Sequence, residues 1–185
     1  MDFKESYGII LGELSNLFEK IDEKQVDELI EKINKSEKVF FVGVGRVKLS
    51  LEAIAKRLSH LGVSCHVVGE ITEPAISEND LLIVGSGSGE SLYPLSIAKK
   101  AKEIGAMVCY IGSNPNSSMK EYTDIMLRIP TNTKLNLKDE LLSKQPMTSL
   151  FEQALLILGD SIALKIVNDK NIDMVKLWQY HANLE

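Results

Sequence analysis

The chain has 185 residues, 44% hydrophobic and 25% charged, and its 21 Lys and Arg against 26 Asp and Glu leave a formal net charge of −5. That composition fits one soluble globular domain with a full core and excludes disordered and fibrous classes. The lysines are dispersed among acids and form no basic stripe, which argues against a nucleic-acid reader and restricts anionic ligands to small ones.

The opening MDFKESYGII carries acids where a signal peptide needs basic residues, so no secretory or transit segment is expected. From Asp2 to Ser36 apolar residues recur at three and four, as in Ile10, Leu14, Leu17, Phe18 and Ile21, which predicts two helices broken near Asp22. One face of these helices has nothing to cover it in a monomer, so homo-oligomers are expected. Five short apolar runs follow, beginning at Val39, Cys65, Leu81, Met107 and Ile125, with amphipathic helices at about Val47–Leu61 and Ser91–Ile104 between them. Runs apolar on both faces and alternating with helices predict an α/β fold, a doubly wound five-stranded parallel sheet flanked by helices. The expected division is N-terminal helices over 1–36, a sheet core over 37–130, a polar, aperiodic loop over 131–146 long enough to serve as a lid, and C-terminal helices over 147–185. The longest apolar stretch, Ala154 to Leu164, is interrupted by Asp160 and Ser161 and is shorter than the ~20 residues needed to span a bilayer, so no membrane association is expected. Cys65 and Cys109 lie in strand-like runs and offer no metal spacing, which predicts reduced, packed thiols in a cytoplasmic protein.

In such a sheet ligands collect at the carboxyl ends of the strands, where loops lead into helices. The loop Gly85-Ser86-Gly87-Ser88-Gly89-Glu90-Ser91 is the most informative. Its glycines let backbone N–H groups converge, its hydroxyls add donors and a helix N-terminus follows, so a phosphate fits without a lysine. It is not a P-loop, because no Gly-Lys-Ser/Thr follows. Gly43-Val44-Gly45 opens like a dinucleotide fingerprint, but Lys48 occupies the place of the third glycine, so no nucleotide cofactor is expected. Arg46, beside Gly45 at a strand end, is a candidate second anion contact. Glu90 is an odd charge for a phosphate loop and is expected to face sugar hydroxyls or hold Arg46. Ser149-Leu150-Phe151-Glu152 reads as a capping box, which would tie Glu152 to its own helix start. His60, off the apolar face of its helix, could contact the last carbonyls, and His66 inside a strand reads as structural. Leu155, Leu156, Leu158, Ile162 and Leu164 read as core or subunit interface.

Several motifs together resemble one family. Gly43-x-Gly45-Arg46, Lys56-Arg57-Leu58-Ser59-His60-Leu61-Gly62, Val68-Gly69-Glu70, Gly85 to Glu90, Gln145-Pro146-Met147-x-Ser149-Leu150-Phe151-Glu152-Gln153 and the terminal His181-Ala182-Asn183-Leu184-Glu185 resemble the 6-phospho-3-hexuloisomerase branch of the sugar isomerase (SIS) family. The likeness runs from about Lys38 to the end. It implies a tetrameric, cofactor-free enzyme with no metal, interconverting 3-hexulose 6-phosphate and fructose 6-phosphate in the ribulose monophosphate route. It further implies Glu152 as the base, His60 for ring opening or polarising a hydroxyl, and His181 completing a neighbouring subunit's site. The substrate contacts would be Gly45, Arg46, Ser86, Ser88, Glu90 and Ser91. One departure stands out: Val47-Lys48 replaces the family's Ser-Gly, which leaves open another sugar phosphate, with Lys48 either neutralising phosphate or extending into solvent. A sugar-phosphate sensor on the same fold is the alternative from another class.

Overall fold

The computed structural model describes residues 1–184. Two helices, α1 (Phe3–Phe18) and α2 (Glu23–Lys35), precede β1 (Val39–Val42), α3 (Gly45–Ser59), β2 (Cys65–Val67), β3 (Leu81–Gly85), α4 (Leu92–Ile104), β4 (Met107–Gly112), β5 (Ile125–Arg128) and α5 (Ser149–Asp169). The five strands form one parallel sheet in the order β2-β1-β3-β4-β5, as the alternation of apolar runs and helices predicts. Two boundaries shift: α3 begins two residues earlier than its apolar period, at Gly45, and the segment after α5 forms a 3-10 turn over Lys176–Tyr180 rather than a helix from Met174.

Strand residues alternate between two cores. Phe41, Leu81, Ile83, Cys109 and Leu127 pack against α2, α3 and α5, while Phe40, Leu82, Val84 and Tyr110 pack on Ala98 and Ala101 of α4. Both thiols behave as packed hydrophobes, and burial pushes Cys65 and Cys109 up to about 12. Along α5 the apolar side chains divide by face. Leu155, Leu158 and Ile162 are buried, whereas Leu156 and Leu164 are exposed. On α1, Phe3, Tyr7 and Leu11 form an exposed stripe at helical spacing. Helices α3 and α5 run side by side at close range, because Gly159 has no side chain to hold off Ile54; a Cβ there would lie 2.7 Å from Ile54 Cδ1. This contact sets the register that brings the first turns of the two helices together.

A buried carboxylate closes the amino-terminal end of the central strands. Asp80, 1% exposed, accepts from Lys38 N (3.0 Å), Ser77 N (2.7 Å) and Ser77 Oγ (2.8 Å), with Lys38 Nζ at 3.1 Å. Burial alone would raise its pKa, but the Ser77 and Lys38 hydrogen bonds and the Lys38 charge hold it below the ordinary aspartate range. A depressed folded-state pKa contributes stability that is present above the unfolded value of about 3.9 and is lost as pH falls through the folded value. Asp80→Ala is therefore expected to cost about 2–4 kcal/mol at pH 7. The gap between variant and parent should narrow only below about pH 4, as melting temperatures between pH 2.5 and 7 would show. A gap constant down to pH 2.5 contradicts this account.

Candidate active site

The order β2-β1-β3-β4-β5 places its topological switch between β1 and β3, so the loops after these two strands diverge and open a crevice at their carboxyl ends. Gly43 to Arg46 forms one wall and the serine–glycine loop the other. The strand-end glycines let α3 settle close. A Cβ on Gly43 would lie 2.9 Å from Leu51 Cδ1, and one on Gly85 would lie 2.9 Å from Val47 Cγ1. Val47 is thus a wedge between the two strand ends. Lys48 points along the helix, its Nζ 3.6 Å from Glu52 Oε1 in an exposed i,i+4 pair. Gly45, at φ +57, presents backbone to open space: a Cβ there would meet nothing within 4 Å.

The serine–glycine loop folds on itself. Ser86 and Ser88 are buried, Gly89 takes φ +70, Gly89 N donates to Ser86 Oγ (3.1 Å) and Glu90 N to Ser88 Oγ (3.3 Å). Ser91 stands at the N-cap of α4, yet its hydroxyl lies 3.3 Å from Ser86 Oγ and caps nothing. The same lack recurs where helices meet the crevice. Asp2 and Asp22 cap α1 and α2 with their carboxylates, whereas Val44, Ser91 and Thr148, which begin α3, α4 and α5, supply no side-chain cap. Each helix N-terminus carries orphan N–H groups and partial positive charge, and α3 and α4 start directly from the two loops that wall the crevice.

Glu152, 8% exposed, stands in the first turn of α5. Its Oε2 pairs with Arg46 Nε, its Oε1 accepts from Thr148 Oγ1 at 3.0 Å, and its backbone carbonyl accepts from Ser50 Oγ at 2.9 Å. The expected capping box does not form. The chain enters the helix one residue earlier, at Thr148, so Ser149 Oγ turns back to Pro146 O (2.8 Å) and leaves the glutamate free of it. A hollow of about 190 Å³ opens beside the pair, lined by Arg46, Leu49, Ser50, Glu152, Gln153 and Leu156. The first turn of α5 also reaches the serine–glycine loop, since a Cβ on Gly87 would lie 3.8 Å from the Phe151 ring.

Glu90 does not hold Arg46, which is taken by Glu152. Its Oε1 instead accepts from Ser118 N (2.9 Å) beyond β4, and the hydrogen bonds from Ser118 hold its carboxyl below the usual range. His60 and His181 lie elsewhere. Fourteen residues along α3 from Arg46, at about 1.5 Å each, put His60 about 20 Å from the crevice. There its ring stacks on His181 at 5.4 Å and 25°, with Trp178 5.3 Å from His181. Both histidines line a 540 Å³ cleft with Arg57, Asp160 and Trp178, so neither reaches Glu152 of the same chain. Burial, then Lys56, Arg57 and His181, lower the His60 pKa. The His66 ring lies 5.3 Å from Phe40 and its Nε2 3.2 Å from Ser64 Oγ. Of the terminal motif, Glu185 lies outside the described residues.

The loop over 131–146 is stitched down by two carboxylates that its composition does not flag. Glu13 of α1 accepts from Ser143 Oγ (2.6 Å), Lys144 N (2.7 Å) and Gln145 Nε2 (3.0 Å), and Glu140 anchors the other half. Thr148 and Ser50 are likewise missed by sequence reasoning. Thr148 had a signal, since it stands four residues before Glu152 and thus on the same helical face.

Residues 32–158 match the family model described as the SIS domain. A Bacillus subtilis 3-hexulose-6-phosphate isomerase is 39% identical over 95% of both chains, and one from Mycobacterium gastri is 34% identical over 100% of this chain and 92% of its own. Among solved structures, a Methanococcus jannaschii protein superimposes with a TM-score of 0.83 at 32% identity, covering 98% of this chain and 99% of that one; its crystal structure was taken to infer a 3-hexulose-6-phosphate isomerase.

Proposed function

The chain belongs to the SIS domain family, and from that premise we propose that it isomerises a phosphorylated ketose, converting 3-hexulose 6-phosphate to fructose 6-phosphate. The observation that carries this reading is the crevice at the sheet's switch point, where the serine–glycine loop and the uncapped starts of α3 and α4 stand beside a carboxylate in the first turn of α5. Orphan amides at two helix starts favour an anion. The phosphate sits on the loop 86–91, replacing the serine oxygens that now satisfy Gly89 N and Glu90 N, with Ser86, Ser88 and Ser91 hydroxyls donating. Gly45 lets the sugar approach the backbone closely, and Glu90, ordered against Ser118, closes the loop's far side.

Glu152 moves the proton. It removes hydrogen from C2 of the 3-ketose, the electron pair forms the C2=C3 double bond of an enediol as the C3 carbonyl takes a proton, and the same carboxyl returns hydrogen to C3 while the C2 hydroxyl gives up its own. Arg46 and Thr148 fix the carboxylate's position. His60 and His181, too far to act within their own chain, serve the sugar bound to a neighbouring copy; the apolar stripe Phe3, Tyr7 and Leu11 supports such assembly, for which we propose a tetramer. The proposed reaction belongs to the ribulose monophosphate route, and a phosphorylated sugar as substrate supports a cytoplasmic location.

The test is exchange. Fructose 6-phosphate incubated with the protein in deuterated water should gain deuterium at C3 with appearance of the 3-ketose, read by NMR beside arabinose 5-phosphate and ribulose 5-phosphate. Exchange on one of the pentose phosphates alone would move the substrate assignment. Binding of fructose 6-phosphate without exchange on any sugar would overturn the isomerase in favour of a sensor.

A further inference from the structure

Glu140 is a buried carboxylate, 7% exposed, although the residues just before it, 134–139, are mostly exposed. Oε1 accepts from Ser113 Oγ at 2.7 Å and Thr133 Oγ1 at 3.4 Å, and Oε2 from Leu137 N at 2.8 Å and Thr133 N at 3.3 Å. A carboxylate withdrawn from water onto hydroxyls and amides alone is held for what it orders. What it orders leads to the anion loop. Ser113 N donates to Gly87 O at 2.9 Å, and Asn114 Nδ2 donates to Ser88 O at 3.3 Å, so two consecutive carbonyls of that loop are drawn toward the β4 side. In a planar trans peptide the N–H points opposite to the C=O, so fixing these two carbonyls turns Ser88 N–H and Gly89 N–H away from β4. Thr133, held by the same carboxylate, backs the loop: its Cγ2 would lie 3.3 Å from a Cβ on Gly87.

We propose that Glu140 is a positioning residue for phosphate recognition: through Ser113 it fixes the Gly87 carbonyl and aims the amides of the serine–glycine loop at the substrate's phosphate. The inference rests on the reading that this loop holds phosphate, and it assigns part of the 131–146 connection to the binding site.

The test measures the dissociation constant for inorganic phosphate by 31P NMR, beside KM and kcat for fructose 6-phosphate exchange, in the parent, Glu140→Ala, Glu140→Gln and Ser113→Ala. Loss of a buried network hydrogen bond should weaken phosphate binding and raise KM by about 10-fold in Glu140→Ala, with kcat held within about 3-fold. Glu140→Gln should recover affinity to within about 3-fold, because its amide oxygen accepts from Leu137 N and Thr133 N while its NH2 donates to Ser113 Oγ. A purely structural residue would lower the melting temperature of Glu140→Ala and leave the phosphate constant alone, which overturns the proposal. So would a folded glutamine variant no better than alanine. If Glu140→Ala does not fold, Ser113→Ala reads the same link, and unchanged phosphate affinity there is equally fatal. Phosphate binding by a parent that exchanges no sugar defeats the isomerase reading alone. Exchange by a parent whose Glu140→Ala and Ser113→Ala variants keep normal affinity defeats Glu140 alone.

Discussion

Glu152→Gln should slow deuterium wash-in to fructose 6-phosphate at least ~100-fold, about 2.7 kcal/mol of activation free energy, while sugar-phosphate affinity stays within about 3-fold. The substitution keeps shape and most contacts. The amide oxygen can accept from Arg46 Nε, and the NH2 can donate to Thr148 Oγ1, whose hydroxyl rotates to accept. What disappears is a group able to take a proton from carbon and return it. Ser149→Ala is the sharp comparison. The sequence pattern joins Ser149 to Glu152 in a capping box, but its hydroxyl bonds Pro146 O, so this variant should keep full turnover. Near-normal exchange by Glu152→Gln, or equal loss in both variants, would remove the base assignment.

The fold was legible because its signals are local and redundant. Runs such as Leu81 to Val84 are too short for helices and apolar on both faces, and that combination has one solution, a parallel sheet covered on both sides. The position of the serine–glycine loop was legible for a similar reason, since glycine and serine alternate where a strand meets a helix. Pairings across the chain were not. Arg46 could have sought Glu90 or Glu152, 44 or 106 positions away, and nothing local distinguishes them; the close α3–α5 approach at Gly159 decides. Glu140 was hidden more completely, because Lys138-Asp139-Glu140 reads as solvated loop charge until the chain folds it onto Ser113. The capping box failed by one residue. Ser149 and Thr148 are both competent N-caps, and the helix starts from Thr148, whose hydroxyl then serves the glutamate.

Gly89→Ala is expected to give the largest loss of affinity, a rise of at least ~30-fold in KM for fructose 6-phosphate and in the dissociation constant for inorganic phosphate. Two costs coincide at this position. At φ +70 an alanine sits in the left-handed region, roughly 1–2 kcal/mol less favourable for an L-residue. Its Cβ would also fall 2.5 Å from Ser117 Cβ and 2.7 Å from Tyr110 OH. Both neighbours are buried beneath the loop, so the loop itself must move, and the amides it aims move with it. The strain is local to the end of β3, so the variant should fold, with a melting temperature lowered by only a few degrees. Gly8→Ala and Gly12→Ala on α1 are the matched controls. A Cβ at either meets nothing within 4 Å, so each should stabilise its helix by about 0.5–1 kcal/mol and leave phosphate affinity untouched. A folded Gly89→Ala that binds phosphate like its parent would mean that the anion rests elsewhere than on this loop, and the serine hydroxyls around it would lose their assignment too.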